Sequence, residues 1–107
     1  MRPSHDLGAQ AITGVLSLGS RGADDTALPA SPTADVALGS LALVGIMMAL
    51  YRREKSGRGD YLDMSMTDSL ISWTPHILSE VITNNAAPNL SRERLYGGAA
   101  LYNIYET

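Results

Sequence analysis

Cysteine is absent from the sequence, and with it go disulfides, thiolate zinc sites and a cysteine nucleophile. Histidine is scarce. His5 and His76 are the two present, and no carboxylate cluster of fixed spacing accompanies them, so no metal site is expected. Basic residues are few as well. Eight Lys and Arg stand against eleven Asp and Glu, leaving a formal charge of −3 and a pI of about 5.1. Nucleic-acid binding needs clustered cations to meet the phosphates. The one cluster, Arg52, Arg53, Lys55 and Arg58, is diluted by Glu54, so nucleic acid is not an expected partner. The opening MRPSHDLGAQ carries charge but lacks the apolar core of a secretory signal. One long uncharged run, residues 36–51, is the membrane candidate. It falls short of the ~20 residues of a span. Gly39, Ser40 and Gly45 interrupt it, and it reads as a buried core helix with no membrane role.

The chain has 107 residues, enough for one small domain or part of a larger one, and 45% of them are hydrophobic, close to a globular average. Leu7, Ala11, Val15 and Leu18 recur at helical spacing and predict a first helix over 6–18, with Ser4 or His5 near its start. Residues 19–33 read as loop. A second helix opens with Asp35 as its N-cap and closes on Arg52, Arg53, Lys55 and Gly57. It is apolar on nearly every face, so other structure must enclose it, and a chain this short supplies little. DYLDMSM, residues 60–66, alternates and predicts a strand. Helix, Gly-rich turn and strand make an αβ unit with a parallel sheet nearby. Thr67 or Asp68 caps a third helix, and Thr74–Pro75 restarts a helix through residue 81. Residues 83–98 read as a linker and AALYNIYET as a closing strand without a partner. The five tyrosines and Trp73 suit core and rim.

Few residues offer chemistry. Asp35 is most simply a cap, and a cap is worth about 1 kcal/mol. The same position also suits proton transfer, because a carboxylate beside an apolar helix mouth is partly desolvated. Amides at that mouth are donors for a developing oxyanion. His5 alone reads as a solvated histidine. Asp68 reads as a cap, His76 as structural or exposed, and Asp63 as a solvent-facing strand residue. GGAALY has no Lys-Ser/Thr and is no phosphate loop.

In combination, SHDLGAQAITGVLS, then TADVALGSLALVGIMMALYRREKSGRGDYLDMSMTDSL, then LYGGAALYNIYET resemble the family III CoA-transferases. That family includes alpha-methylacyl-CoA racemases, formyl-CoA transferase and carnitine CoA-transferases. The resemblance implies an α/β fold: part of a Rossmann-like large domain with helices around a mostly parallel sheet. Residues 1–107 would be the central part of that domain, incomplete at both ends. It implies that Asp35, the acid opening the long helix, is catalytic. In racemases a histidine thirty positions earlier is the second proton-transfer group, and His5 stands there. In transferases the acid forms a mixed anhydride and then an acyl-CoA-type thioester on its own carboxyl, and a tyrosine tends to occupy the earlier position. His5 therefore points to racemase-type α-proton transfer, with a covalent CoA-transferase on Asp35 as the alternative. A third alternative is an inactive fragment that binds acyl-CoA or a partner chain. Gly8 stands where racemases usually carry Asn, and VALGS where they carry a glycine run. The resemblance further implies a CoA thioester as substrate, no permanently bound cofactor, and an interlocked homodimer at full length. The expected setting is the cytoplasm, or peroxisome or mitochondrion in a eukaryote.

Overall fold

A computed structural model describes residues 5–20, 27–90 and 92–106. Ser4, one of the two candidates for the first helix start, lies outside them. The elements are α1 (Asp6–Ile12), α2 (Val15–Leu18), α3 (Thr33–Ser56), α4 (Met66–Ser72), α5 (Pro75–Asn84) and a single 3-10 turn at Arg94–Tyr96. They divide into two compact units, Met1–Trp73 and Thr74–Thr107.

In the first unit, α1 packs against α2, α3 and α4, and α3 packs against α4. Their meeting point is made of small side chains. Ala9, Ala34 and Leu70 form the buried cluster, Val15 and Met66 lie against it, and Ala37 is fully buried beside Ala34 on α3. Methyl groups at a crossing let helix backbones come close, so few atoms close the contact.

The helix expected over 6–18 is two helices. Gly14 takes a left-handed conformation at φ 77°, which ends α1, and Thr13 turns its hydroxyl back to the carbonyls of Ala9 and Gln10. The second helix also departs from expectation at its start. It begins at Thr33 with Pro32 as the N-cap residue, so Asp35 sits inside the first turn and is not the cap. Its end is as anticipated. Gly57 adopts φ 68°, its amide returns to Arg53 O at 2.8 Å, and Arg53 and Lys55 complement the last turn. Arg52 then pairs with Asp60 as the chain leaves the helix.

α4 is capped by Ser65, whose Oγ accepts from the Asp68 amide at 3.1 Å. Thr67 and Asp68, the expected caps, lie within the helix. Asp68 instead places its charge at the positive helix end.

The mostly parallel sheet is not found among the described residues. Residues 60–65 are irregular, and Asp63 is exposed there. Among the described residues near the carboxy end, the one pairing is an antiparallel bridge between Ala99 and Tyr102, which closes a tight turn and not the expected strand. Strand character without a neighbouring strand leaves backbone groups unpaired, so these segments do not form ladders alone.

In the second unit, α5 begins at Thr74–Pro75 as expected, with proline at the first helical position, and it ends on Asn85 at φ 47°. His76 stacks on Tyr96, ring centroids 6.0 Å apart. Gly98 lies so close to the Arg92 and Glu93 carbonyls that a Cβ would collide with them.

α3 is not the enclosed helix its composition predicts. Its buried residues are Ala34 and Ala37, both near its start. Leu43, Val44, Met47, Met48 and Tyr51 are exposed. By length and composition α3 is long and apolar enough to cross a membrane, because it extends beyond the uncharged run at both ends.

Candidate active site

His5, Asp6 and Asp35 lie at the amino ends of α1 and α3, where the two helices meet. A helix opens with amides that have no partner inside the helix. At α3, Pro32 has no side-chain acceptor to offer, and no side chain caps the helix locally. The acceptor comes from α1. Asp6 Oδ1 receives the Ala34 amide at 2.7 Å and the Asp35 amide at 3.3 Å. The other oxygen, Oδ2, receives Gln10 Nε2 at 2.7 Å. Gln10 is 2% exposed, so this side chain holds the carboxylate from inside the core. Thr13 Oγ1 in turn donates to the Gln10 carbonyl at 3.2 Å. Charge-assisted bonds of this kind exceed neutral ones in strength.

The remaining amides of the turn are also engaged. Thr33 N–H donates to Ser31 O at 2.8 Å and Val36 N–H to Pro32 O at 3.1 Å. Ser31 and Thr33 join their hydroxyls at 3.2 Å on the same corner. The mouth of α3 is therefore closed by its own neighbours. The expectation that its first amides receive an oxyanion is corrected: those of Thr33, Ala34, Asp35 and Val36 each have an acceptor.

Asp35 is the third residue of α3 and its side chain is exposed. The partial desolvation expected of it is not present in this chain. His5 is the residue immediately before α1, extended at φ −106° and ψ 175°, and its carbonyl accepts the Ala9 amide at 3.1 Å. It is exposed too. The two residues belong to segments tied together by one side chain. Asp6 follows His5 in the chain and hydrogen-bonds the backbone of Asp35. An open depression of about 290 Å³ lies beside this junction, lined among others by Asp6, Leu7, Leu28, Pro29 and Pro32.

Asp6 stands in the first turn of α1, at that helix's positive end, and its contact with α3 was not anticipated from the sequence. A faint signal was present. A helix starting after Pro32 needs an acceptor from elsewhere, and an acid followed four residues later by Gln10 forms a ready-made supported carboxylate. Asp68 is committed to α4, and in the second unit His76 stacks on Tyr96.

Glu80 and Glu93 make a second carboxylate cluster in the other unit. The Glu93 carboxyl against it, together with desolvation and like charge, pushes the Glu80 carboxyl above its ordinary value of 4.5. Burial, with Glu93 adding, likewise raises the Tyr96 phenol.

The family model for CoA-transferase family III matches residues 1–107. Succinyl-CoA:mesaconate CoA-transferase of Haloarcula hispanica is 35% identical over 71 residues, 66% of this chain and 18% of its own length. Human alpha-methylacyl-CoA racemase is 31% identical over 105 residues, 96% of this chain and 27% of its own. Acetyl-CoA:oxalate CoA-transferase of Acetobacter aceti is 31% identical over 77 residues, 71% of this chain and 20% of its own. The chain thus spans between 18% and 27% of the length of these relatives.

Proposed function

Because the chain belongs to CoA-transferase family III, we propose that it serves an enzyme acting on acyl-CoA thioesters, by α-proton transfer of the 2-methylacyl-CoA racemase type. His5 and Asp35 are the two proton-transfer groups. One removes the proton from the carbon beside the thioester carbonyl, and the other returns a proton to the opposite face. Which acts as base depends on the substrate enantiomer. Between the two steps the thioester is an enolate, whose oxygen needs a donor outside the first turn of α3. The observation that supports the reading is a pairing: a histidine thirty positions before Asp35, on a segment whose next residue bonds the Asp35 amide. The match to the racemase over 96% of the chain is consistent with it.

The second reading is CoA transfer between carboxylic acids. The Asp35 carboxylate attacks the thioester carbonyl and expels the CoA thiolate, leaving a mixed anhydride. The thiolate then attacks the Asp35 carbonyl and releases the first acid, leaving aspartyl-CoA for an acceptor. Identities of 35% and 31% to two CoA-transferases favour this reading. An exposed Asp35 is accessible to a substrate in both readings.

A full-length protein carrying this segment separates the two. The expected outcome is deuterium incorporation at the α-carbon of a 2-methylacyl-CoA in deuterated water, with no acceptor acid present. Asp35→Asn and His5→Ala are each expected to lower exchange by a factor of about 100 or more. Acceptor-dependent CoA transfer without α-exchange, an adduct on Asp35 trapped by hydroxylamine, and little effect of His5→Ala would establish the transferase instead.

A further inference from the structure

We propose that Asp6 is a positioning residue: its carboxylate, held by buried Gln10, fixes the first turn of α3 so that Asp35 is presented beside the segment bearing His5. The proposal rests on the reading of His5 and Asp35 as reacting groups. It goes further by naming what sets their spacing.

An ordinary N-cap is the residue directly before the helix and acts only on that helix. This one comes from 28 positions away, and it comes from the residue after His5. The route from His5 to Asp35 is therefore one peptide bond, one short side chain and one hydrogen bond of 3.3 Å. No long, flexible side chain intervenes. Oδ1 takes two amides of adjacent residues, which fixes the direction from which α3 leaves. Oδ2 is fixed by Gln10, so the carboxylate does not rotate freely about its last bond. Gln10 is chemically suited to this place. Its NH2 donates to a carboxylate, whereas a glutamate would repel it and a leucine would leave Oδ2 without that donor. Burial of Gln10 keeps water from substituting readily for that bond.

The test uses a full-length protein carrying this segment, with α-exchange or CoA transfer as the readout, whichever the protein performs. Asp35→Asn is the control for the reading itself. In Asp6→Ala, kcat is expected to fall about 100-fold, the scale of a misplacement near 1 Å, with KM changing less than about threefold. Asp6→Asn is expected to recover most of that loss. Its side-chain oxygen still accepts the Ala34 and Asp35 amides, and Gln10 can turn its own oxygen to the new NH2. Hydrogen exchange at those amides is expected to quicken in Asp6→Ala and return toward wild type in Asp6→Asn. An Asp6→Ala enzyme within twofold of wild-type kcat, while Asp35→Asn is inactive, overturns the proposal and leaves the reading standing. Failure of Asp6→Asn to recover activity also overturns it, because charge and not position would then be what matters. An active Asp35→Asn enzyme overturns the reading and this proposal together. If Asp6→Ala does not fold, Gln10→Leu decides. A lowered kcat with unchanged KM and faster exchange at residues 34 and 35 supports the role, and wild-type kcat overturns it.

Discussion

At the residue scale, single polar side chains decide where helices begin. Ser65 supplies one acceptor to the Asp68 amide, and α4 has only seven residues to share the loss if it is removed. Ser65→Ala is expected to destabilise a full-length protein carrying this segment by about 1 kcal/mol, measured by chemical denaturation. Glu80 has a different dependence. Its carboxyl is raised above 4.5 by the adjoining Glu93, so the folded unit binds its proton more tightly than the unfolded chain does. The stability this proton confers is full below the ordinary glutamate range and is lost as pH rises through the raised value. Glu80→Gln keeps a neutral group beside Glu93 at every pH. In a full-length protein carrying this segment the thermal midpoint is expected to decline as pH rises above the ordinary glutamate range, and the variant is expected to lose part of that decline. Identical pH profiles for the two proteins would contradict this.

At the element scale, Gly45 inside α3 and Gly57 just after its end have opposite expected signs on replacement. A Cβ at Gly45 would meet Met64 Sδ at 3.8 Å and Leu62 Cδ1 at 3.9 Å, which is ordinary contact. Gly45→Ala is therefore expected to stabilise by about 0.5–1 kcal/mol through helix propensity and a little added packing. Gly57 closes the helix at φ 68°, so Gly57→Ala is expected to cost about 1 kcal/mol. Denaturation midpoints of the two variants in a full-length protein carrying this segment, moving in opposite directions, check both. The stop at Gly57 and the start at Thr74–Pro75 were legible in the sequence because both are local: the residue that makes the boundary is the one at the boundary. The true cap of α3 was not, since Asp6 acts across 28 positions and Asp35 in SPTAD offers a nearer, local candidate. Gly14 was overlooked because the apolar spacing continues across it as though the helix did. The expected strands failed for a related reason. Alternation describes a face, but a ladder needs a partner, and none is present among the described residues.

At the scale of the whole molecule, exposure dominates. α3 buries Ala34 and Ala37 and leaves Leu43, Val44, Met47, Met48 and Tyr51 open. Apolar patches of this kind promote association. The 107-residue chain purified alone is expected to self-associate and to unfold without a cooperative transition. Size-exclusion chromatography and urea titration check this, and a monomer with a sharp transition would contradict it. The sequence reading held that this helix needs other structure around it and that so short a chain supplies little, and the buried cluster of the first unit is a few methyl groups and one leucine at one end of that helix.

That one-ended burial has a mechanical consequence. Twenty-four residues at 1.5 Å each make α3 a rod of ~36 Å. The Asp6 carboxylate holds one tip, and a rod magnifies any error made there. A tilt of about ten degrees at that tip would sweep the far tip through roughly 6 Å for a rod of that rise per residue. The pair of Arg52 and Asp60 stands near the far end. A misplacement too small to break a hydrogen bond at the held tip would become, at the other, a change in which side chains can meet.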